Sequence, residues 1–115
     1  MFYNIIQDFS EIIAAYSVTK FEKFGSATSL VAQIEFKDRS ILHIKDYLFV
    51  DGTRKYAYHW QDAGGVLRMR WDNSPHHPQI ANFPHHKYLF PDVVAESHER
   101  NLRDVLAVIR QVLTT

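Results

Sequence analysis

The 115-residue sequence contains no cysteine, only four glycines and no long apolar run. Without cysteine it can form neither a disulfide nor a thiolate metal site, a composition typical of a reducing compartment. No stretch reaches the roughly 18 apolar residues that a membrane helix needs. The start, Met1 to Asn4, lacks the basic and apolar regions of a signal peptide. We therefore expect a cytoplasmic protein that does not enter a membrane.

The sequence also lacks net charge, with 13 basic and 13 acidic residues, so no global field attracts it to nucleic acid or anionic lipid. The charge is unevenly distributed. Residues 54–88 contain five Lys and Arg against two Asp and Glu, together with five of the seven histidines. This segment is the basic part of the chain, and it becomes more basic below about pH 6.5.

Apolar residues recur at helical spacing near both ends of the chain. The first pattern predicts an amphipathic helix over about residues 3–17 and consists of Ile5, Ile6, Phe9, Ile12, Ile13 and Tyr16. The second predicts a helix beginning near Ser97, a plausible N-cap, and consists of Leu102, Val105, Leu106, Ile109, Val112 and Leu113.

Between these helices the pattern changes to the period of two that is typical of strands. The predicted strands cover residues 29–36, 41–50, 55–61, 66–72 and, as a last edge strand, 85–90. Asp62 to Gly65 predicts a tight turn, and the three prolines within residues 73–84 predict a loop. We expect one domain over residues 1–115. Its fold class is α+β, with an antiparallel sheet of about four to five strands packed against the N-terminal and C-terminal helices.

Four blocks of sequence resemble the TumE family, formerly a domain of unknown function. They are Tyr58-His-Trp-Gln-Asp62, Arg68-Met-Arg-Trp-Asp-Asn73, Pro75-His-His-Pro78 and Phe83-Pro-His-His-Lys87. Leu42-His-Ile44, Tyr47 and Val50-Asp-Gly52 extend the resemblance to roughly residues 28–88. It implies a toxin component that is encoded beside a small antitoxin and neutralised by it. The resemblance assigns no catalytic residue, so the roles below follow from residue types.

Arg68, Arg70 and Asp72 alternate along one predicted strand and should share a face. Two arginines about 7 Å apart can hold successive phosphates, although a solvated strand face is the simpler interpretation. His59 is predicted to join them, and Lys87 is a further candidate phosphate contact. The alternating Tyr56, Tyr58 and Trp60 could stack unpaired bases, but we expect them in the core.

Two histidine pairs, His76-His77 and His85-His86, lie beside the loop prolines. Histidine exchanges protons near neutral pH, so His76 and His85 are the candidate base and acid for RNA cleavage. Adjacent side chains diverge, so one of each pair should face a common site. The alternative is that they hydrogen-bond loop backbone. Three histidines with Asp72 could also hold zinc, but the spacing matches no ligand motif. We predict no metal or cofactor.

The leading hypothesis is a toxin that acts on RNA, as a candidate metal-independent endoribonuclease. Its catalytic residues would be His76 and His85, and its phosphate-binding residues His59, Arg68, Arg70 and Lys87. Asp72, His77 and His86 are additional candidates. The expected partners are an antitoxin protein and RNA, and a homo-oligomer is compatible with the sequence. The alternative hypothesis is a non-catalytic domain that presents the same loop and strand face to a protein.

Overall fold

A computed structural model describes residues 2–74, 84–89 and 93–115. Its elements are α1 (Phe2–Asp8), β1 (Ile13–Phe24), β2 (Ala27–Phe36), β3 (Ile41–Leu48), β4 (Arg54–Gln61), β5 (Leu67–Asp72), β6 (His86–Leu89), β7 (Val93–Glu96) and α2 (Leu102–Leu113). Every pair of neighbouring strands is antiparallel, and the strands lie in sequence order. The α+β class is confirmed. The expected count of four to five strands is wrong, because the described residues form a sheet of seven.

The predicted N-terminal helix over residues 3–17 is too long, because α1 ends at Asp8. Phe9 and Ile12 lie in the turn after α1, and their side chains are buried. They keep the apolar spacing of a helix although the chain is not helical there. From Ile13 the chain becomes β1, a mostly exposed edge strand paired with β2. A register shift between Val18 and Lys20 interrupts its alternation, which hides the strand in the sequence.

The last helix begins later than predicted. Its N-cap is Asn101 rather than Ser97, and the Asn101 side chain accepts a hydrogen bond of 2.9 Å from the Asp104 backbone N–H. Ser97 is buried and its hydroxyl donates to the Glu99 carbonyl. The segment before it contains β7, which pairs with β6. Residues 97–100 therefore form a connector between β7 and α2.

The two faces of the sheet have different environments. One face, the helix face, packs against α1 and α2 in a single apolar core. Its buried strand residues are Ala32, Ile34, Phe36, Leu42, Ile44, Tyr56, Tyr58, Trp60 and Trp71. The opposite face, the open face, carries the alternate residues of the same strands, such as His43 and His59. The expectation that the three aromatic side chains of β4 belong to the core is confirmed.

Neither helix in the described part of the chain has the length and apolar character needed to cross a membrane.

Candidate functional site

The predicted site residues are divided between the two faces of the sheet. Those on the open face are His59, Arg70, Asp72 and His86, and those on the helix face are His85 and Lys87. His85 and His86 therefore diverge, as expected for neighbours in an extended chain. His76 and His77 lie outside the described residues.

Arg68 does not share a site with Arg70, although their spacing predicted a common face. A register shift opposite Trp60 and Gln61 interrupts the alternation of β5. The Arg68 guanidinium lies over the Trp60 ring, 4.9 Å from its centroid, and its Nη1 donates to Asp38 at 3.0 Å. Arg68 thus closes one end of the core, which separates it from the histidines.

A polar network built around Arg54 occupies one end of the helix face. Its Nε and Nη2 donate to the two carboxylate oxygens of Asp46 at 2.9 and 2.8 Å. Tyr58 Oη lies 2.7 Å from Arg54 Nη2 and donates to Asp46 Oδ2 at 2.6 Å. Arg54 Nη1 donates to the Arg100 carbonyl, which ties the β7–α2 connector to β4. The network fixes both the sheet end and the connector.

His85 packs beside this network against the Tyr56 ring. The two rings stack with centroids 5.9 Å apart, and Tyr56 Oη lies 2.8 Å from His85 Nδ1. Burial, together with the positive charges of Arg100 and Arg54, lowers the pKa of His85. Burial raises the pKa of Tyr56 to about 12. Near neutral pH this places a neutral imidazole against a protonated phenol.

Lys87 on β6 and Glu99 on the β7–α2 connector form an ion pair on the same face of the sheet. Glu99 Oε1 accepts from Lys87 Nζ and from the Trp71 indole N–H, each at 3.1 Å. Burial opposes ionisation of Glu99, but these two hydrogen bonds hold its pKa below the usual value. We call Arg54, Tyr56, His85, Lys87, Glu99 and Arg100 the helix-face cluster. It combines one imidazole, one phenol, three cations and one carboxylate.

The open face holds a second group centred on Arg70. Its Nε donates to Asp72 at 3.2 Å, and its Nη1 lies 3.3 Å from His59 Nδ1. Arginine can only donate, so Nδ1 accepts and the His59 proton resides on Nε2. Burial, Arg70 and then His43 lower the pKa of His59. His59 is therefore a neutral side chain that positions Arg70.

His86 and Asp72 form a buried pair between β5 and β6. His86 Nε2 lies 2.7 Å from Asp72 Oδ1, and their side chains are 1% and 7% exposed. His86 Nδ1 donates to the Pro84 carbonyl at 2.9 Å, and Asp72 also accepts from the backbone and hydroxyl of Ser74. These contacts hold the two strand ends together and leave little access for a substrate.

Within the residues that the structure describes, no three His, Asp or Glu side chains lie close enough to hold a metal ion together. The zinc hypothesis also involved His76 and His77, which are outside that set.

With this geometry established, comparison with known proteins identifies the family. A family model described as Toxin TumE matches residues 2–113. The chain belongs to the TumE toxin family. The resemblance seen over residues 28–88 is confirmed, and the match extends it to both terminal helices. Membership in TumE supports a toxin role and an antitoxin partner. No curated protein and no solved structure gives a significant match.

Three members of the helix-face cluster in this TumE chain were not predicted from the sequence, namely Arg54, Glu99 and Arg100, and neither was Asp46, the partner of Arg54. Arg54 and Arg100 are 46 residues apart and meet only because the β7–α2 connector crosses the sheet end. Asp46 carried one usable signal. It is a charged residue at a core-facing position of β3, two residues after the buried Ile44, and such a charge needs a partner.

Proposed function

We propose that this TumE chain is the toxin of a toxin–antitoxin pair and acts in the cytoplasm on RNA, as a metal-independent endoribonuclease. The observation that carries the proposal is the contact of 2.8 Å between Tyr56 Oη and His85 Nδ1 beside the charges of Arg54 and Arg100. A neutral histidine next to fixed cations is suited to accept a proton from a substrate whose phosphate those cations bind.

The tautomer of His85 decides which nitrogen can act. When Nδ1 carries the proton, it donates to the Tyr56 hydroxyl oxygen, and the Nε2 lone pair is available to a substrate. In the described part of the chain, only Tyr56 hydrogen-bonds this ring. Tyr56 then acts as a positioning residue, since it fixes the ring orientation through both stacking and the hydrogen bond.

The proposed reaction is an intramolecular transesterification. His85 Nε2 removes the proton of a ribose 2′-hydroxyl, whose oxygen attacks the adjacent phosphorus and forms a 2′,3′-cyclic phosphate. The bond from phosphorus to the 5′-oxygen breaks, and that oxygen takes a proton from a general acid. His76 is the sequence-based candidate for the acid and lies outside the described residues.

Phosphate binding is assigned to Arg54 and Arg100, whose charges act on His85, and to Lys87, two residues from His85 on the same face. Arg54 uses four of its five N–H groups within the protein, on Asp46, Tyr58 and the Arg100 carbonyl. This makes Arg54 chiefly a scaffold, whereas the exposed Arg100 is the more accessible contact. Lys87 binds phosphate when a phosphate oxygen replaces Glu99 as the partner of its ammonium group. Arg68 is not assigned this role, because it is engaged at the other end of the core.

Inducible expression in a bacterial host tests the proposal. Wild type should arrest growth and produce RNA fragments with 2′,3′-cyclic phosphate ends, and co-expression of the neighbouring antitoxin gene should restore growth. His85→Asn should lose both effects at equal protein level. His98→Asn is the matched control, because the His98 side chain is 71% exposed and lies on the connector. Equal toxicity and equal RNA cleavage by His85→Asn would refute the assignment.

The second candidate function is a non-catalytic domain that binds a protein through the same region. The buried His86–Asp72 pair favours it, because these two residues belong to the sequence blocks that resemble TumE, yet they serve to join two strands. This function predicts growth arrest with intact RNA, and it predicts that His85→Asn stays toxic.

A further inference from the structure

A row of side chains crosses the open face on three neighbouring strands. His43 on β3 is directly opposite His59 on β4, and His59 is directly opposite Arg70 on β5. The two imidazole rings have centroids 6.1 Å apart. Both described helices pack on the other face, so neither covers this row. We call these three residues the open-face row.

The row combines exposed ring surface with unused hydrogen-bond donors. His43 is exposed, and His59 is partly exposed. Arg70 has a side chain that is 38% exposed. Two of its five N–H groups contact Asp72 and His59, and in the described part of the chain the Nη2 group has no protein partner.

The open face around the row carries charges of both signs, with Glu35 on β2 opposite Ile41 and Asp72 beside Arg70. Lys45 lies two residues from His43 on the same strand and face. The carboxylate beside Arg70 belongs to Asp72, which already accepts from Ser74 and lies against His86. Arg70 is therefore paired with Asp72 through Nε, and an incoming anion meets the Nη2 edge of the same guanidinium.

We infer that the open-face row binds single-stranded RNA, with bases stacking on His43 and His59 and a phosphate held by Arg70. This inference deepens the proposed action on RNA and rests on it. Stacking requires unpaired bases that can lie against a ring, which a single strand offers and an A-form duplex does not. An acidic peptide would use the guanidinium but would need an aromatic residue at the right spacing to stack on the rings. By contrast, every nucleotide of a single strand carries both a phosphate and a base, so RNA is the occupant that uses the whole row.

The test is fluorescence anisotropy with a labelled 2′-O-methyl oligouridine, which has no 2′-hydroxyl and so cannot be cleaved. Wild type should bind the single strand more tightly than a 2′-O-methyl duplex of equal length. The double variant His43→Ala, Arg70→Ala should bind it about tenfold or more weakly, as expected for losing one stacked base and one phosphate contact. Arg70→Ala alone should reduce the slope of log affinity against log salt by about 0.7.

The matched control is His98→Ala, Arg103→Ala, which removes the same residue types from exposed positions elsewhere. It should bind like wild type, and thermal unfolding of every variant verifies the fold. Unchanged affinity in the His43→Ala, Arg70→Ala variant would overturn the inference, and so would equal binding of the duplex. Loss of antitoxin binding with retained RNA affinity would instead make the row a protein-docking surface and would also overturn it.

These results are separable from the proposed chemistry. His85→Asn lies on the helix face and should bind the 2′-O-methyl strand normally. If wild type binds through the open-face row but cleaves no RNA, the inference stands and the ribonuclease proposal fails. If wild type cleaves RNA and the row variants bind and cleave normally, the ribonuclease proposal stands and the inference fails.

Discussion

The ion pair between Arg54 and Asp46 should contribute more to stability than an exposed pair of the same length. Arg54 and Asp46 have side chains that are 30% and 25% exposed, with an N–O distance of 2.8 Å. Arg103 and Asp8 have the same distance, 2.8 Å, but are 51% and 56% exposed. Burial, the second hydrogen bond between Arg54 and Asp46, and the additional bonds to Tyr58 and the Arg100 carbonyl are therefore the main differences between the pairs.

Double-mutant cycles measure this difference directly. Exposed pairs contribute about 0.2–1 kcal/mol, whereas removing one partner of a buried pair costs about 3–5 kcal/mol. The single-variant cost includes leaving a charge unpaired, which the cycle subtracts, so for the partly buried Arg54 pair we expect a coupling energy of about 1–3 kcal/mol from Arg54→Met and Asp46→Asn. Arg103→Met with Asp8→Asn should give at most about 1 kcal/mol.

Urea unfolding followed by tryptophan fluorescence provides the readout, because Trp60 and Trp71 are 1% and 0% exposed. The unfolding free energies of wild type, two single variants and the double variant yield each coupling. Equal couplings for the two pairs would refute the reasoning. They would mean that the connector does not hold Arg54 in a partly desolvated site.

Three further predictions follow from burial and protonation. Leu106→Ala should lower the free energy of unfolding by about 2–5 kcal/mol, because Leu106 is 0% exposed. The 49% exposed Val112 on the same helix should tolerate alanine, and a cost below about 0.5 kcal/mol for Leu106→Ala would contradict the core assignment. Burial, Arg70 and His43 lower the pKa of His59 in the folded state, so the unfolded chain binds more protons and the free energy of unfolding should fall as pH decreases below about 6.5. His59→Gln should weaken this pH dependence in urea titrations, and an unchanged dependence of the unfolding free energy on pH would refute the role of His59. Tyr56→Phe keeps the ring but removes the hydroxyl on His85, so it should lower kcat for RNA cleavage about fivefold at unchanged KM, and full activity would exclude a positioning role.

The strands that the sequence predicted best are those whose two faces differ in environment. Residues 55–61 alternate large aromatic side chains with polar or small ones, and β4 covers Arg54–Gln61 with the aromatic side inside. β1 is exposed over most of its length, so burial imposes no alternation on it. The residues around its start, Ile12 and Ile13, instead continue the apolar spacing of α1, because a turn can bury residues at that spacing as well as a helix can. An edge strand of this kind leaves only a weak pattern in the sequence.

The site was harder to predict than the fold for two physical reasons. A period of two places residues on a common face only while the ladder is regular, and the register shift in β5 sends Arg68 away from Arg70. The helix-face cluster depends on contacts between distant parts of the chain, such as Arg54 with Arg100. His85 was nevertheless predicted as a proton carrier from its residue type. In the structure the positive charges of Arg100 and Arg54 act on it.

The most direct test of the central claim is the rate of single-turnover cleavage of a short RNA in EDTA, measured against pH for wild type, His85→Asn and His98→Asn. We expect a bell-shaped profile for wild type, because one group must be neutral while another is protonated, and products that carry 2′,3′-cyclic phosphate ends. His85→Asn should be slower by roughly 10²–10⁴, with His98→Asn unchanged. Cleavage by His85→Asn at the wild-type rate, or cleavage that disappears in EDTA and returns with zinc, would contradict the account.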